Sequence, residues 1–143
     1  MAARARVKAV AIDLDALGDT RKLLDEWYAD AARRFRVDVT RLEEELPNWE
    51  PLLERFAEER APVYLRPDAE TSAVLRGLQA DRVRIGVFTD APAALARVAL
   101  AQLGAARRVA VVETGEGALP RLLARLGDDT HVVRTRDELV GLR

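Results

Sequence analysis

Val7-Lys8-Ala9-Val10-Ala11-Ile12-Asp13-Leu14-Asp15-Ala16-Leu17-Gly18-Asp19-Thr20 is the stretch that decides how this chain is read. Its first six residues are mostly apolar, as in a buried strand of a parallel sheet, and they stop at two carboxylates followed by small, turn-prone residues. Open α/β sheets bind ligands outside the carboxyl ends of their strands, where Asp13 and Asp15 would stand. Two apart in an extended segment, they face the same side. Such a pair can hold a hard cation such as magnesium, with one carboxylate attacking phosphorus and the other moving a proton. Equally, two aspartates can simply end a strand and open a turn.

Beyond Thr20 the apolar period lengthens. Leu24, Trp27 or Tyr28, Ala31 and Phe35 recur three or four residues apart, which predicts an amphipathic helix over residues 21–36. Stripes of this kind usually fill cores, so the aromatics are read as packing residues rather than a substrate box. Thr40-Arg41-Leu42-Glu43 has the pattern of a capping box opening a short helix that Pro47 should stop. A third helix starts around Pro51, with Leu52, Leu53, Phe56 and Ala57 on one face, and should end before Pro62. These helices exceed a minimal crossover. Residues 21–65 are therefore expected to be a small helical cap over the carboxyl end of the sheet, with residues 1–20 and 66–143 forming the α/β core.

Pro67-Asp68 opens a helix that runs to about Ala80, and the strand Arg84-Ile85-Gly86-Val87-Phe88 then stops at Thr89-Asp90-Ala91-Pro92. Thr89 would stand beside a helix N-terminus, well placed to touch a phosphate, while Asp90 reads as a helix cap. A helix over residues 93–103 closed by Gly104, a strand over 109–112 and a loop over 113–117 follow. Pro120 should start the helix 121–126, closed by Gly127. A strand over 131–133 leads to a second capping box, Thr135-Arg136-Asp137-Glu138. Strands alternating with helices argue for an α/β fold: a three-layer, Rossmann-like parallel sheet.

Composition narrows the chemistry. At 143 residues the chain suits one domain, with 49% hydrophobic and 33% charged residues as in an ordinary globular protein. A net charge of -1 gives no electrostatic case for nucleic acid or an anionic membrane. The absence of cysteine excludes disulfides, thiolate nucleophiles and cysteine-ligated metals, and a single histidine, His131, excludes a histidine-rich metal site. The basic start, residues 1–6, precedes an apolar run too short and too broken for a signal peptide, and no stretch reaches membrane-spanning length. A cytoplasmic location is expected.

Taken in order, the motifs Ala-Ile-Asp-Leu-Asp-Ala-Leu-Gly-Asp-Thr (11–20) and Gly-Val-Phe-Thr-Asp-Ala-Pro (86–92), with the Ala-Leu-Ala-Arg-Val-Ala-Leu-Ala-Gln-Leu-Gly segment (94–104), give a chain that resembles the haloacid dehalogenase (HAD) superfamily. Those proteins are mostly magnesium-dependent phosphatases that work through an aspartyl-phosphate. The resemblance covers essentially the whole chain and implies that Asp13 is the nucleophile. It implies that Asp15 is the general acid/base, with its carbonyl on magnesium, and that Thr89 holds the transferring phosphoryl group.

The chain also departs from the family pattern. Asp15 is followed by Ala16-Leu17-Gly18 where members usually read Gly-Thr-Leu. The lysine expected just before the Pro120 helix aligns near Gly117, and no lysine follows Lys22. Arg121 would be its substitute, with a larger, forked guanidinium. The last motif, an apolar strand ending in Gly-Asp, is replaced by Arg134-Thr135-Arg136-Asp137. A cation there opposes magnesium, and Arg134 would bind an anion directly. Asp137 is a candidate third metal ligand whose commoner role is capping; Glu113 is another substitute. Asp128 and Asp129 precede the strand and should lie at its opposite end.

The function expected from this reading is a HAD-like protein with weak or lost phosphatase activity that binds a small phosphorylated molecule or another protein. The alternative is a working magnesium phosphatase on a small phosphomonoester. Trp27, Tyr28 and Trp49 would form an association surface, such as that of a homodimer, if exposed.

Overall fold

The computed structural model describes residues 7–142; the basic residues 1–6 lie outside them. Among the described residues, β1 (Ala9–Asp13), β2 (Arg84–Thr89), β3 (Val111–Thr114) and β4 (Thr130–Val133) form one parallel sheet in the order β3-β2-β1-β4. β1 is paired on both edges, Val10 facing Ile85 on one side and His131 on the other. Its buried run Ala9 to Ile12 therefore lies mid-sheet. The chain steps outward from β1 to β2 to β3 and then returns to the far side of β1, so the order reverses at β1. Crevices at such reversals are where α/β sheets take ligands.

The two faces of the sheet differ in side-chain size. Val10, Ile12, Ile85, Val87 and Val133 join the larger apolar cluster. Ala11, Phe88 and Val111 face the other way, onto Ala118 and Leu122 of α6 (Ala118–Leu126). On the large-residue side lie α4 (Ala69–Ala80), α5 (Ala93–Gln102) and the short α7 (Arg136–Val140). The fold is thus three-layered, helices on both faces of a parallel sheet. None of the described helices is long and apolar enough to cross a membrane.

Residues between β1 and β2 add α1 (Thr20–Phe35), a short α2 (Leu42–Glu45) and α3 (Trp49–Tyr64). α3 packs on α5 and α1 packs on α3. Leu23, Trp27, Ala31, Leu53, Ala57 and Ala61 belong to the same cluster as the sheet residues, so this helical layer shares the core. Trp27 is 1% exposed, which removes it from any association surface, while Tyr28 and Trp49 are partly buried.

Three local expectations are corrected. Thr40 does not cap a helix. Asp38 accepts from the Thr40 amide and hydroxyl at the start of a single 3-10 turn, and Glu45 accepts from the Asp38 amide. Asp competes well with Thr for such caps, and it stands two residues earlier. α3 does not end before Pro62 but carries it in its last turn. Proline there deletes one amide, while burial of Ala57, Ala61 and Leu65 against neighbouring helices keeps the turn helical. α6 begins at Ala118 rather than Arg121, because Gly117, at φ +75°, is the residue that turns the chain. The second capping box is as expected, with Thr135 accepting from the Glu138 amide at 3.1 Å. Asp68 caps α4 by accepting from the Glu70 amide. Arg136 reaches it from α7 at 2.8 Å and holds its carboxyl below the usual range against the opposing effect of burial.

Two glycines test the packing with opposite signs. A Cβ on Gly86 would lie 2.7 Å from Leu122 and 2.8 Å from Leu126, so the glycine lets α6 lie close to β2. Gly86→Ala should lower stability by roughly 1–2 kcal/mol. Gly77, exposed in α4 with nothing near its Cβ position, should gain about 0.5–1 kcal/mol on replacement by alanine. Urea unfolding of both variants checks the pair; a neutral Gly86→Ala would contradict the close approach.

Candidate functional site

Asp13 ends β1 and is partly buried. Its neighbour across β2 is Phe88, and because Ile12 pairs with Val133, Arg134 emerges from β4 beside it. The Arg134 guanidinium lies over the Phe88 ring, 5.9 Å from its centre, on the side of the sheet that Asp13 faces. A hollow of about 270 Å³ opens at this end of the sheet. Its walls include Asp13, Asp15, Thr89, Asp90 and Arg21, with Gly117 and Pro120 from the start of α6; Arg134 stands next to the hollow over Phe88 and is not itself among the lining residues.

Most polar groups here are already bonded within the chain. Asp13 caps the 3-10 turn Leu14–Ala16, accepting from the Asp15 amide at 3.0 Å. The Asp15 side chain turns towards α1, accepting from the Thr20 hydroxyl and, at 3.2 Å, from the Arg21 amide. Thr89, buried at the end of β2, accepts from the Ala91 amide at 3.1 Å and so shapes the turn. Asp90 is not a helix cap. Its two oxygens both lie 3.0 Å from one guanidinium nitrogen of Arg21, and this bond holds the Arg21 proton more tightly than usual. Such an exposed pair is worth at most about 1 kcal/mol, so it orients the loop without locking it.

Burial raises the Asp13 carboxyl above its ordinary range. The Asp15 amide opposes this, the charges of Asp15 and Asp90 add to it, and Arg134 pulls the other way. Arg134 is thus close enough to act on Asp13 electrostatically without forming a direct ion pair.

The remaining candidates fall elsewhere. Arg121 folds back on its own loop, bonding Glu113 at 3.0 Å, the Glu116 carbonyl at 2.6 Å and the Thr114 carbonyl. It props the turn before α6 and is not among the residues lining the hollow. Gly117, where a lysine was expected, has positive φ, and a Cβ there would meet Arg121 at 3.0 Å. The loop is built for glycine. Glu113 is held by Arg125 and Arg121, which lower its carboxyl below the usual range. Asp137 is exposed on α7 and does not line the hollow. Asp129 contacts Lys8 just before β1, at the amino end of the sheet, as the sequence suggested.

Magnesium does not fit this donor set. Asp13 and Asp15 were the expected ligands, with Asp137 or Glu113 as the third. Among the described residues no three histidine, aspartate or glutamate side chains converge closely enough to hold a metal ion. Asp15 is turned onto Thr20 and Arg21, and the strand beside Asp13 ends in a cation. A hard dication needs several oxygen ligands with matching charge.

Arg21 is the site residue that sequence reasoning missed. A signal was present: an arginine in the first turn of a helix that starts at the mouth of the crevice, opposite an exposed aspartate just past the end of β2. Comparison with protein-family models, with curated proteins and with solved structures found no significant match.

Asp13 gives a pH test with a definite sign. A raised carboxyl means the folded chain binds that proton more tightly than the unfolded chain. The associated stability is therefore complete at low pH and is lost as pH rises through the raised range. Asn at this position keeps the oxygen that accepts from the Asp15 amide and cannot ionise. Asp13→Asn should gain melting temperature relative to wild type on going from below about pH 4 to pH 7. A pH-independent difference would contradict the burial of a charge at this position.

Proposed function

We propose that this chain is a HAD-like domain whose phosphoryl-transfer site is dismantled, leaving a crevice that holds a small phosphorylated molecule without metal. The observation that carries the reading is Arg134 at the end of β4, beside Asp13, where a metal carboxylate would be needed. Phosphoryl transfer from a dianion to a carboxylate requires positive charge on the phosphoryl oxygens and a correctly held nucleophile. With the third carboxylate gone and no lysine at Gly117, groups that act as a unit are missing together, and losses of several orders of magnitude are typical. Asp15 lines the hollow as well, but its carboxylate already accepts from the Thr20 hydroxyl and the Arg21 amide.

The ligand half of the proposal rests on charge and geometry. Arg134 has no ion-pair partner among the described residues and lies beside Thr89's strand at the reversal point of the sheet. A guanidinium binds phosphate oxygens in a bidentate manner. A single observation favours the second reading, a working magnesium phosphatase on a small phosphomonoester: Asp13 keeps the strand-end position of a nucleophile.

The two readings separate on the bench. The protein should not hydrolyse an aryl phosphate with or without magnesium, and inorganic phosphate or a sugar phosphate should raise its melting temperature in the absence of magnesium. Arg134→Ala should abolish that shift. Magnesium-dependent hydrolysis that disappears in Asp13→Asn would establish the second reading instead. Absence of any phosphate-induced shift would remove the ligand half of the first.

A further inference from the structure

Among the residues lining the hollow at Asp13 there is one cation, Arg21, against three carboxylates, Asp13, Asp15 and Asp90. With that balance a phosphomonoester gains entry when a carboxylate withdraws. The three are not equally free to do so. Asp13 accepts from the Asp15 amide and Asp15 from the Arg21 amide, so both are tied to the backbone that follows β1. Asp90 accepts only from the Arg21 guanidinium among the described residues.

That bond is poorly made. A guanidinium grips a carboxylate best through two nitrogens, one to each oxygen. Here a single nitrogen, Nη2, serves both Asp90 oxygens at 3.0 Å, and neither Nε nor Nη1 of Arg21 has an acceptor among the described residues. Both side chains are more than half exposed, so water and salt weaken the pair further. Its two ends also belong to separate elements, the first turn of α1 and the turn between β2 and α5.

We propose that Arg21 seats the phosphate alongside Arg134, and that Asp90 is its built-in competitor, holding the guanidinium until a phosphomonoester displaces it. The proposal rests on the reading of the crevice as a phosphate site and adds how that site opens. Phosphate brings nearly two charges and three oxygens, enough to engage the unused Nε and Nη1 together. The released Asp90 turns to solvent, which removes a negative charge from the walls as the anion arrives. Because the anion binds the parted form, its apparent affinity is scaled down by the fraction of molecules in which Arg21 is free.

A double-mutant cycle, read by calorimetric titration with inorganic phosphate in the absence of magnesium, tests this. Asp90→Ala should tighten binding about three- to fivefold, the worth of a weak exposed pair. Arg21→Gln should weaken it by about fivefold. Adding Asp90→Ala to Arg21→Gln should bring no such gain. A gain that persists without Arg21 would overturn the proposal, because the loss of any nearby negative charge would then account for it. So would unchanged affinity in Asp90→Ala. If Arg134→Ala abolishes binding while Asp90→Ala changes nothing, the competitor falls and the phosphate site stands. If neither wild type nor Asp90→Ala binds phosphate, both fall. The pair is exposed, so unfolding midpoints should move little in either variant, and measuring them separates lost binding from lost fold.

Discussion

β1 is hydrogen-bonded on both edges and buried on both faces, and this fixes where the chain can do chemistry. A strand so enclosed cannot slip its register without exposing an apolar row, so Asp13 is held at its carboxyl end. Everything that converges there does so because its own element ends at the same level: Phe88 and Thr89 on β2, Arg134 after β4, Gly117 before α6. The small residues Ala11 and Gly86 let α6 approach this end of the sheet closely, and its first residues wall the crevice.

Charge at the crevice is balanced within the chain. Asp90 faces Arg21, Glu113 faces Arg121 and Arg125, and Asp15 accepts two hydrogen bonds from the start of α1. The exposed ion pairs are individually weak, so none of them alone would keep out a dication. What decides against magnesium is the count of ligands among the described residues: one partly buried carboxylate that already accepts from the Asp15 amide, accompanied by an arginine, does not make a site.

Much of the fold was legible in the sequence because it rests on period and punctuation. The apolar runs at 9–12 and 85–88, the Asp68 and Thr135 caps and the glycine after α5 all lie within two residues of where pattern placed them. Sequence failed where two local rules competed. Asp38 outcompeted Thr40 as a cap, and core packing of α3 overrode Pro62. In the crevice, the pairing of Arg21 with Asp90 spans 69 residues, a separation that no local pattern reports. The direction in which Arg121 folds was equally hidden, since it depends on two carbonyls exposed by a glycine turn.

The central claim is that Asp13 stands with a cation where a metal carboxylate would be required. A crystal soaked in magnesium and a phosphate analogue tests it most directly. The account predicts an anion against Arg134 and no cation on Asp13, with Asp15 still accepting from Thr20. A magnesium ion held by three protein oxygens around Asp13 would contradict it.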